Sequence, residues 1–337
     1  MIRILFAGSP AIAVPALEEL FKLGPPDFEL AAILTNPDSA KGRSGIPLPT
    51  EVGAAAERLS AEYAAAGRTA PPVLKPEKLD VAARALIAPL KPDLLVSFAY
   101  GRIFGPKFLA LFPCGGINIH PSLLPKYRGP TPIPAAILAG DTETGISIQR
   151  LALEMDSGDI LLCERVALNG RETTAGLSEI IAKKAAELLP AALAGIASGA
   201  VQGQPQDHGQ ATYCSLITKE KGLIDWNKSA CEIDARIRAF DPWPQSWTMH
   251  GDKQLFILRA VEAGHDFSPV QEGRACASPG LVLGIDKRRG ILVQTGEGIL
   301  AVSELQYRSK RALQWNDFLN GARNFIGSRL GYQTEVA

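Results

Sequence analysis

Short apolar runs alternate with helical patterns through the first half of this chain, and this alternation constrains the fold more than any other feature. The runs lie at residues 2–6, 28–34, near 73, 93–98 and 116–120, with helical patterns at 11–23, 51–66 and 77–90. Runs that are apolar on both faces are typical of parallel strands buried between helices. The sequence therefore predicts a doubly wound α/β domain with a mostly parallel sheet.

The pattern changes after residue 200. Strands at 144–150 and 160–168 and a helix at 173–197 complete the first domain, and the polar segment 201–211 reads as a linker. A helix at 229–240 then precedes short strands at 246–249, 254–260, 280–285, 290–294 and 299–307. Closely spaced short strands predict a small β-barrel of OB type. The expected domains are residues 1–200 and 212–337, joined by residues 201–211.

The charge balance limits the possible partners. The chain has 35 basic and 35 acidic residues, so a nucleic-acid partner would need a local basic patch. Lys41 and Arg43 lie in the long loop 36–50 and are flanked by Gly42 and Gly45, and further basic clusters occupy residues 287–289 and 308–311. Each cluster is either a solvated turn or a contact for phosphate, and charge alone leaves both open.

Several classes of function are not indicated. The five cysteines are scattered and never spaced as CxxC, and the four histidines show no ligand spacing, so no metal site is expected. The first turn, FAGSPAIA, lacks the GxGxxG spacing of a dinucleotide site. No signal peptide or apolar stretch of about 18 residues is found. We expect a cytoplasmic protein without a membrane span, and nothing in the sequence demands more than a monomer.

The central stretch, residues 115–159, holds the candidate catalytic residues. Asn118 and His120 are two positions apart at a strand end, so their side chains point to one face. The loop that follows is rich in proline and glycine and is therefore rigid. Asp156 follows in the turn MDSGD after another strand. Taken alone, His120 could be a hydrogen-bonded structural or a surface histidine, and Asp156 a turn-forming aspartate, but their arrangement around the loop favours a site.

This set is suited to the transfer of an acyl group between amines. The GxSxG elbow of serine hydrolases is absent, so the attacking group would come from the substrate. Asn118 would donate its amide N–H to a developing oxyanion. His120 would donate to the oxyanion or to the leaving nitrogen, and Asp156 would orient the ring and help to accept the amine's proton through water.

The motifs INIHPSLLPKYRG and MDSGD resemble the signature of the formyltransferases that use 10-formyltetrahydrofolate. The resemblance implies that Asn118, His120 and Asp156 are catalytic. It also places six residues at the folate, which is the formyl donor: Ser122, Leu123, Leu124, Pro125, and Arg102 and Ile103 of the segment SFAYGRI.

Nearly the whole chain is similar to the branch of this family that formylates methionyl-tRNA, including FAGSPAIAVPALEEL, KGRSGIPLPT, RAFDPWPQSW and SKRALQWNDFLNGAR. The resemblance implies transfer of a formyl group to the free amino group of initiator methionyl-tRNA for translation initiation. It implies that the loop with Lys41 and Arg43 contacts the acceptor arm, and that the C-terminal barrel holds the outer side of the tRNA.

Three alternative functions are compatible with parts of this pattern. The first is a formyltransferase for a small amine such as an amino sugar nucleotide, the second a formyltetrahydrofolate hydrolase, and the third a non-catalytic protein that binds tRNA or folate. The second domain disfavours a formyltransferase of the purine type, which would usually end near the first domain, and the intact triplet disfavours the third alternative. Two positions depart from the branch: Pro121 follows His120, and Thr131 replaces an expected alanine. Both would affect contacts of the loop rather than the triplet.

Overall fold

The computed structural model describes residues 1–40, 45–263 and 278–331. The chain divides into two compact units, which are described separately. Unit 1 comprises Met1–Pro132, Glu143–Ala167 and Leu177–Ser215. Unit 2 comprises Ile133–Thr142, Leu168–Gly176 and Leu216–Ala337. Among the residues described, no helix combines the length and apolar character that crossing a membrane requires.

The elements of the first two hundred residues alternate between strands and helices. In chain order they are β1 (Ile2–Gly8), a 3-10 turn (Ala11–Ala13), α1 (Val14–Lys22), β2 (Phe28–Leu34), β3 (Ser39–Ala40), β4 (Pro47–Leu48), α2 (Glu51–Ala65), β5 (Val73–Leu74), α3 (Val81–Ile87), a 3-10 turn (Ala88–Leu90), β6 (Leu94–Phe98), α4 (Pro106–Leu109), β7 (Gly116–His120), α5 (Pro132–Ala139), β8 (Glu143–Arg150), β9 (Ile160–Ala167) and α6 (Thr174–Ser198).

The sheet of unit 1 has seven strands in the order β5-β2-β1-β6-β7-β8-β9. The pairs from β5 to β7 are parallel, whereas β7–β8 and β8–β9 are antiparallel. The chain builds outward from β1 to β5 and then returns to β6 on the other side of β1. The strand order therefore reverses between β1 and β6, and open α/β sheets bind ligands at the carboxyl ends of such strands.

Burial and capping explain why these segments adopt this structure. The middle strands are apolar on both faces, and Leu94–Phe98 is buried throughout. Helix α2 begins where the side chain of Thr50 accepts a hydrogen bond from the Gly53 amide, and Asp80 caps α3 in the same way through the Ala83 amide. Such caps satisfy N–H groups that the first helical turn leaves without partners.

Unit 2 is built around antiparallel strands. Its later elements are α7 (Ala230–Ala239), β10 (Ser246–His250), β11 (Lys253–Glu262), β12 (Val282–Asp286), β13 (Gly290–Gln294), β14 (Ile299–Tyr307), β15 (Leu313–Gln314) and α8 (Trp315–Gly321). The strand order is β10-β11-β14-β13-β12, with β15 paired to β14. Arg329 bridges to Leu281 beside β12, and Leu330 bridges to His250 in β10. This last segment joins the two outer strands, so the sheet closes into a small barrel.

The predicted fold class is confirmed: a mostly parallel α/β sheet is followed by an antiparallel β domain. Strands 28–34, 116–120, 290–294 and 299–307 have the predicted limits. The proline-rich loop ends where α5 begins at Pro132, and the predicted helix at 77–90 begins only after its cap at Asp80. The domain limits 1–200 and 212–337 remain predictions.

Candidate active site

Strand β7 brings Asn118 and His120 to one side of the sheet. Its residue Asn118 lies opposite Gln149 of β8, and His120 lies opposite Ser147. The strand ends at His120, whose side chain is buried, while Asn118 is half-buried. The antiparallel partner β8 ends at Arg150, which pairs with Ile117 near the start of β7. The segment after β8 therefore has to fold back to bring Asp156 to Asn118 and His120.

The turn after β8 presents Asp156 to this pair. Asp156 has a φ of 53°, in the left-handed region that aspartate tolerates better than most residues. Two positions later, a Cβ on Gly158 would lie 1.9 Å from the carbonyl oxygen of Arg150, so only glycine fits there. The amide of Arg150 in turn donates to the carbonyl of Asp159 at 2.9 Å. The turn is therefore folded tightly against the end of β8.

The Asp156 carboxylate accepts hydrogen bonds from several neighbouring groups within the part of the chain that the structure describes. Its Oδ1 accepts from Gln149 Nε2 at 2.9 Å and from Asn118 Nδ2 at 3.4 Å, and its Oδ2 accepts from the Gly129 amide at 2.8 Å. The Nδ1 atom of His120 lies 3.5 Å from Oδ1. The structure thus brings together the three residues that the sequence singled out, although Asn118 and Asp156 are 38 positions apart along the chain.

The hydrogen bonds of His120 assign its proton. Its Nε2 lies 2.9 Å from the carbonyl oxygen of Tyr127, and a carbonyl can only accept, so Nε2 carries the hydrogen in the neutral ring. Nδ1 then holds a lone pair on the side of Asp156. Burial lowers the pKa of His120, and the carboxylate of Asp156 and the carbonyl of Tyr127 oppose this effect only in part. The ring is neutral at neutral pH and is placed to take a proton at Nδ1.

The lowered pKa of His120 predicts a loss of stability in mild acid. Below the ordinary pKa of about 6.5, His120 binds a proton in the unfolded chain but not yet in the folded chain. The free energy of unfolding therefore decreases as the pH is lowered. One such group contributes at most about 1.4 kcal/mol per pH unit. Urea unfolding between about pH 8 and about pH 5 measures this, and His120→Gln should flatten the dependence. Burial also lowers the pKa of His250, so a His250→Gln variant separates the two contributions.

The loop after β7 is held by the hydroxyls of two buried serines. Ser122 Oγ donates to the carbonyl of Lys126 at 2.6 Å, and Ser147 Oγ donates to the carbonyl of Ser122 at 2.8 Å. The Leu124 amide donates back to Ser147 Oγ at 3.1 Å. Ser122 is fully buried and Leu124 nearly so, whereas Leu123 and Pro125 are half-buried. The hydroxyl of Ser122 therefore shapes the loop and does not face outward.

The other residues assigned to the folate follow β6, beside the point where the strand order reverses. The guanidinium of Arg102 donates to the carbonyl of Pro76 at 3.0 Å and to that of Glu77, so it ties two loops together. Ile103 is 78% exposed, which is high for a large apolar side chain. An exposed apolar group at this edge of the sheet is suited to a flat aromatic ligand.

The remaining predicted positions have different outcomes. Lys41 and Arg43 lie outside the described residues, which include the short hairpin that flanks them, where Ala40 pairs with Pro47. Thr131, one of the two departures, donates its hydroxyl to the carbonyl of Ser215 at 2.9 Å. Within residues 1–40, 45–263 and 278–331, no group of three or more His, Cys, Asp or Glu side chains could hold a metal ion.

Sequence reasoning missed a buried polar cluster behind Asp156. Its members are Gln149, Arg128 and Gln206, which are 1%, 2% and 6% exposed. Gln206 belongs to the segment 201–211, whose polar sequence predicts a linker. In the structure this segment lies on unit 1, where Gln204 bridges to Ile160 of β9. Three polar side chains distant in sequence carry no spacing signal, so only the fold identifies them.

Comparisons with known proteins identify the family to which this fold belongs. The profile described as Formyl transferase matches residues 2–193, and that described as Formyl transferase, C-terminal domain matches residues 216–323. A protein named methionyl-tRNA formyltransferase from Treponema denticola is 45% identical over 98% of this chain and 100% of its own length. Its namesake in Roseiflexus sp. is 40% identical over 98% of this chain and 95% of its own length.

Two solved structures share the fold at low sequence identity. The N-formyltransferase of Helicobacter canadensis, in complex with folinic acid and dTDP-3-aminofucose, has a TM-score of 0.61 at 19% identity, over 90% of this chain and 99% of that one. HypX of Aquifex aeolicus, in complex with tetrahydrofolic acid, has a TM-score of 0.60 at 16% identity, over 96% of this chain and 48% of that one. With both domain profiles matched and relatives similar over nearly its full length, the chain belongs to the formyl transferase family, in its methionyl-tRNA formyltransferase branch.

Proposed function

We propose that this enzyme transfers the formyl group of 10-formyltetrahydrofolate to the free amino group of methionyl-tRNA. The observation that carries the proposal is the convergence of Asn118, His120 and Asp156 at the carboxyl end of β7. The substrate is supported by relatives of that name that match 98% of this chain at 40–45% identity. The reaction needs no nucleophile from the protein, because the amine of one substrate attacks the formyl carbon of the other.

The three side chains have distinct tasks in this reaction. Asn118 has an amide hydrogen beyond the one directed at Asp156, and this N–H donates to the formyl oxygen as negative charge develops there. As the new C–N bond forms, the attacking amine loses a proton. His120 takes this proton at Nδ1, where the resulting imidazolium is stabilised by Asp156 on one side and by the Tyr127 carbonyl on the other.

The proton balance of the reaction closes within the site. When the bond from the formyl carbon to the folate nitrogen breaks, that nitrogen requires one proton. His120 returns the proton it took from the amine, so the enzyme ends the cycle in its starting state and no net proton is consumed. Asp156 keeps its negative charge throughout and stabilises the protonated form of the ring.

The folate would lie where the strand order reverses, between the loop after β6 and the loop after β7. Ile103 offers an exposed apolar surface there, and the backbone of residues 122–125 is fixed by the buried hydroxyls of Ser122 and Ser147. Leu123, Leu124 and Pro125 would then shape the wall of the pocket. Arg102 is already bonded to two carbonyls, so we assign it to fixing the loop beside the folate.

The tRNA would contact two parts of the chain. Lys41 and Arg43 are proposed to reach the acceptor arm, since basic side chains pair with phosphate and position nucleic acid without reading its sequence. In unit 2, the exposed side chains of Lys287 and Arg288 lie in the turn between β12 and β13, and those of Lys310 and Arg311 follow β14. We propose residues 212–337 as the domain that holds the outer side of the tRNA.

Formylation of a small amine is the less favoured alternative. The sugar N-formyltransferase of Helicobacter canadensis shares only the fold, at 19% identity, whereas the methionyl-tRNA formyltransferases reach 45%. Purified protein, 10-formyltetrahydrofolate and charged initiator tRNA would be incubated together, with an amino sugar nucleotide or water as the competing acceptor. Formylmethionyl-tRNA is the expected product. Formylated sugar, or free formate at the same rate without any acceptor, would contradict the proposal.

Replacing Arg43 with alanine should impair the use of tRNA and leave the folate site intact. Loss of one phosphate contact is expected to raise the KM for methionyl-tRNA and to reduce its dependence on salt concentration by about one unit of logarithmic slope. The KM for the folate donor should stay at the wild-type value. Arg68→Ala provides a matched control, since Arg68 is an exposed arginine elsewhere in unit 1. An unchanged KM for tRNA in the Arg43 variant would show that this loop does not contact the tRNA.

A further inference from the structure

A buried arginine lies behind the candidate active site. Arg128 is 2% exposed, and its guanidinium donates to Gln206 Oε1 at 3.1 Å from Nε and at 2.7 Å from Nη2. It also contacts Nδ1 of His208 at 3.2 Å and the hydroxyl of Tyr213 at 3.4 Å. Burying a guanidinium costs several kcal/mol unless its donors are satisfied. The proposed reaction does not use Arg128, so its position needs another explanation.

The arginine fixes the orientation of two amides in series. A guanidinium can only donate, so the oxygen of Gln206 must face Arg128 and its Nε2 must point the other way. That Nε2 shares its two hydrogens among the carbonyls of Gly158 at 2.6 Å and Asp156 at 2.9 Å and, more weakly, Gln149 Oε1 at 3.3 Å. Because Gln149 accepts through its oxygen, its own Nε2 is free to donate to Asp156 Oδ1 at 2.9 Å. The direction of donation is the same at every step.

We propose that Gln206 and Gln149, oriented by Arg128, are positioning residues for Asp156. The amide of Gln206 holds the two backbone carbonyls of the turn, and the amide of Gln149 holds one carboxylate oxygen. Together they fix the distance from Asp156 to Asn118 and His120. A charged donor at the start of such a series also polarises the amides and strengthens the last bond. This role rests on the proposed function, because it matters only if Asp156 acts in formyl transfer.

A purely structural role would make a different prediction. If Gln206 only filled space and satisfied Arg128, its replacement would lower stability while the molecules that remain folded would turn over normally. If it positions Asp156, folded molecules should bind both substrates but react slowly, because a displacement of about 1 Å at a reacting group lowers the rate by up to about 100-fold. The split between kcat and KM therefore distinguishes the two roles.

The test compares Gln206→Met with Gln204→Met. Methionine has nearly the volume of glutamine and no amide, and Gln204 is an exposed glutamine two positions away on the same segment. We expect Gln206→Met to lower kcat by about 10- to 100-fold, with KM for folate donor and tRNA within about threefold of wild type. Gln204→Met should retain wild-type kinetics. Thermal unfolding of both variants ensures that the rates come from folded protein.

The opposite end of the series supplies the second variant. Gln149→Met removes the donor to Asp156 Oδ1 directly and is expected to lower kcat to a similar extent. If Gln206→Met does not fold, this variant still distinguishes a positioning role from a purely structural one. A wild-type kcat in either folded variant would overturn the proposal, as would a rise in KM without a fall in kcat. Absence of formyl transfer by the wild-type protein would instead reject the proposed function, and it is measured first.

Discussion

Replacing Asp156 with asparagine is expected to lower kcat by about 10³-fold, within the range typical of general acid–base groups. Asparagine keeps the size of the side chain but has only one accepting oxygen. Both carboxylate oxygens of Asp156 now accept hydrogen bonds, from Gln149 and Asn118 on one and from the Gly129 amide on the other. The new NH₂ group would face one of these donors, and the imidazolium of His120 would lose its counter-charge. Steady-state kinetics with both substrates measure the effect.

Asp159→Asn is the matched control for this variant. Asp159 lies three positions along the same turn, and its side chain is exposed. The same chemical change there should leave kcat within about twofold of wild type. Substituting an exposed side chain that lies away from the catalytic residues usually has only a small effect. Equal losses in the two variants would mean that the turn tolerates no amide, and would argue against a specific role of Asp156.

Asn118→Ala is expected to lower kcat by about 10²- to 10³-fold, the usual effect of removing one donor to an oxyanion. The affinity for the folate should change little, because the amide acts on the charge that develops in the transition state and not on the bound substrate. Binding of tetrahydrofolate measured by fluorescence or calorimetry, together with kcat, provides the test. Asn118 also contacts Asp156 only at 3.4 Å, so its loss should not release the carboxylate.

Exposed Asn169 supplies the comparison for this substitution, since it lies in a turn outside the site. Asn169→Ala should leave both kcat and folate binding unchanged. If Asn118→Ala weakened folate binding as much as it lowered kcat, Asn118 would be a binding group and the oxyanion assignment would be wrong.

Local sequence patterns predict most of unit 1. Strands 28–34 and 116–120 are recognisable because burial on both faces demands continuous apolar residues, and caps such as Thr50 mark where helices begin. The change from parallel to antiparallel pairing at β8 could not be predicted in this way. A strand's residues do not encode the direction of its neighbour, which depends on how the chain returns to the sheet.

The candidate site was only partly accessible from sequence for the same reason. Asn118, His120 and Asp156 lie in motifs whose residue types imply chemistry. Gln149 and Gln206 are ordinary glutamines, and their function comes from pairing across β8 and from the docking of a segment that looks like a linker. Long-range contacts of this kind leave no periodic signal in the chain. The residues that position a catalytic group are therefore harder to predict than the group itself.

The way in which residues 204–214 lie on unit 1 has a consequence for heat inactivation. This segment is joined to the rest of the unit by isolated bridges, Gln204 to Ile160 and Tyr213 to Arg128, and not by a continuous ladder. Segments with few backbone bonds open locally at a lower free energy than the sheet beneath them. Opening would withdraw Gln206 from the turn and lower the catalytic activity while the seven strands stay intact. Catalytic activity should then be lost at a lower temperature than the one at which circular dichroism records a loss of secondary structure. The activity should return on cooling.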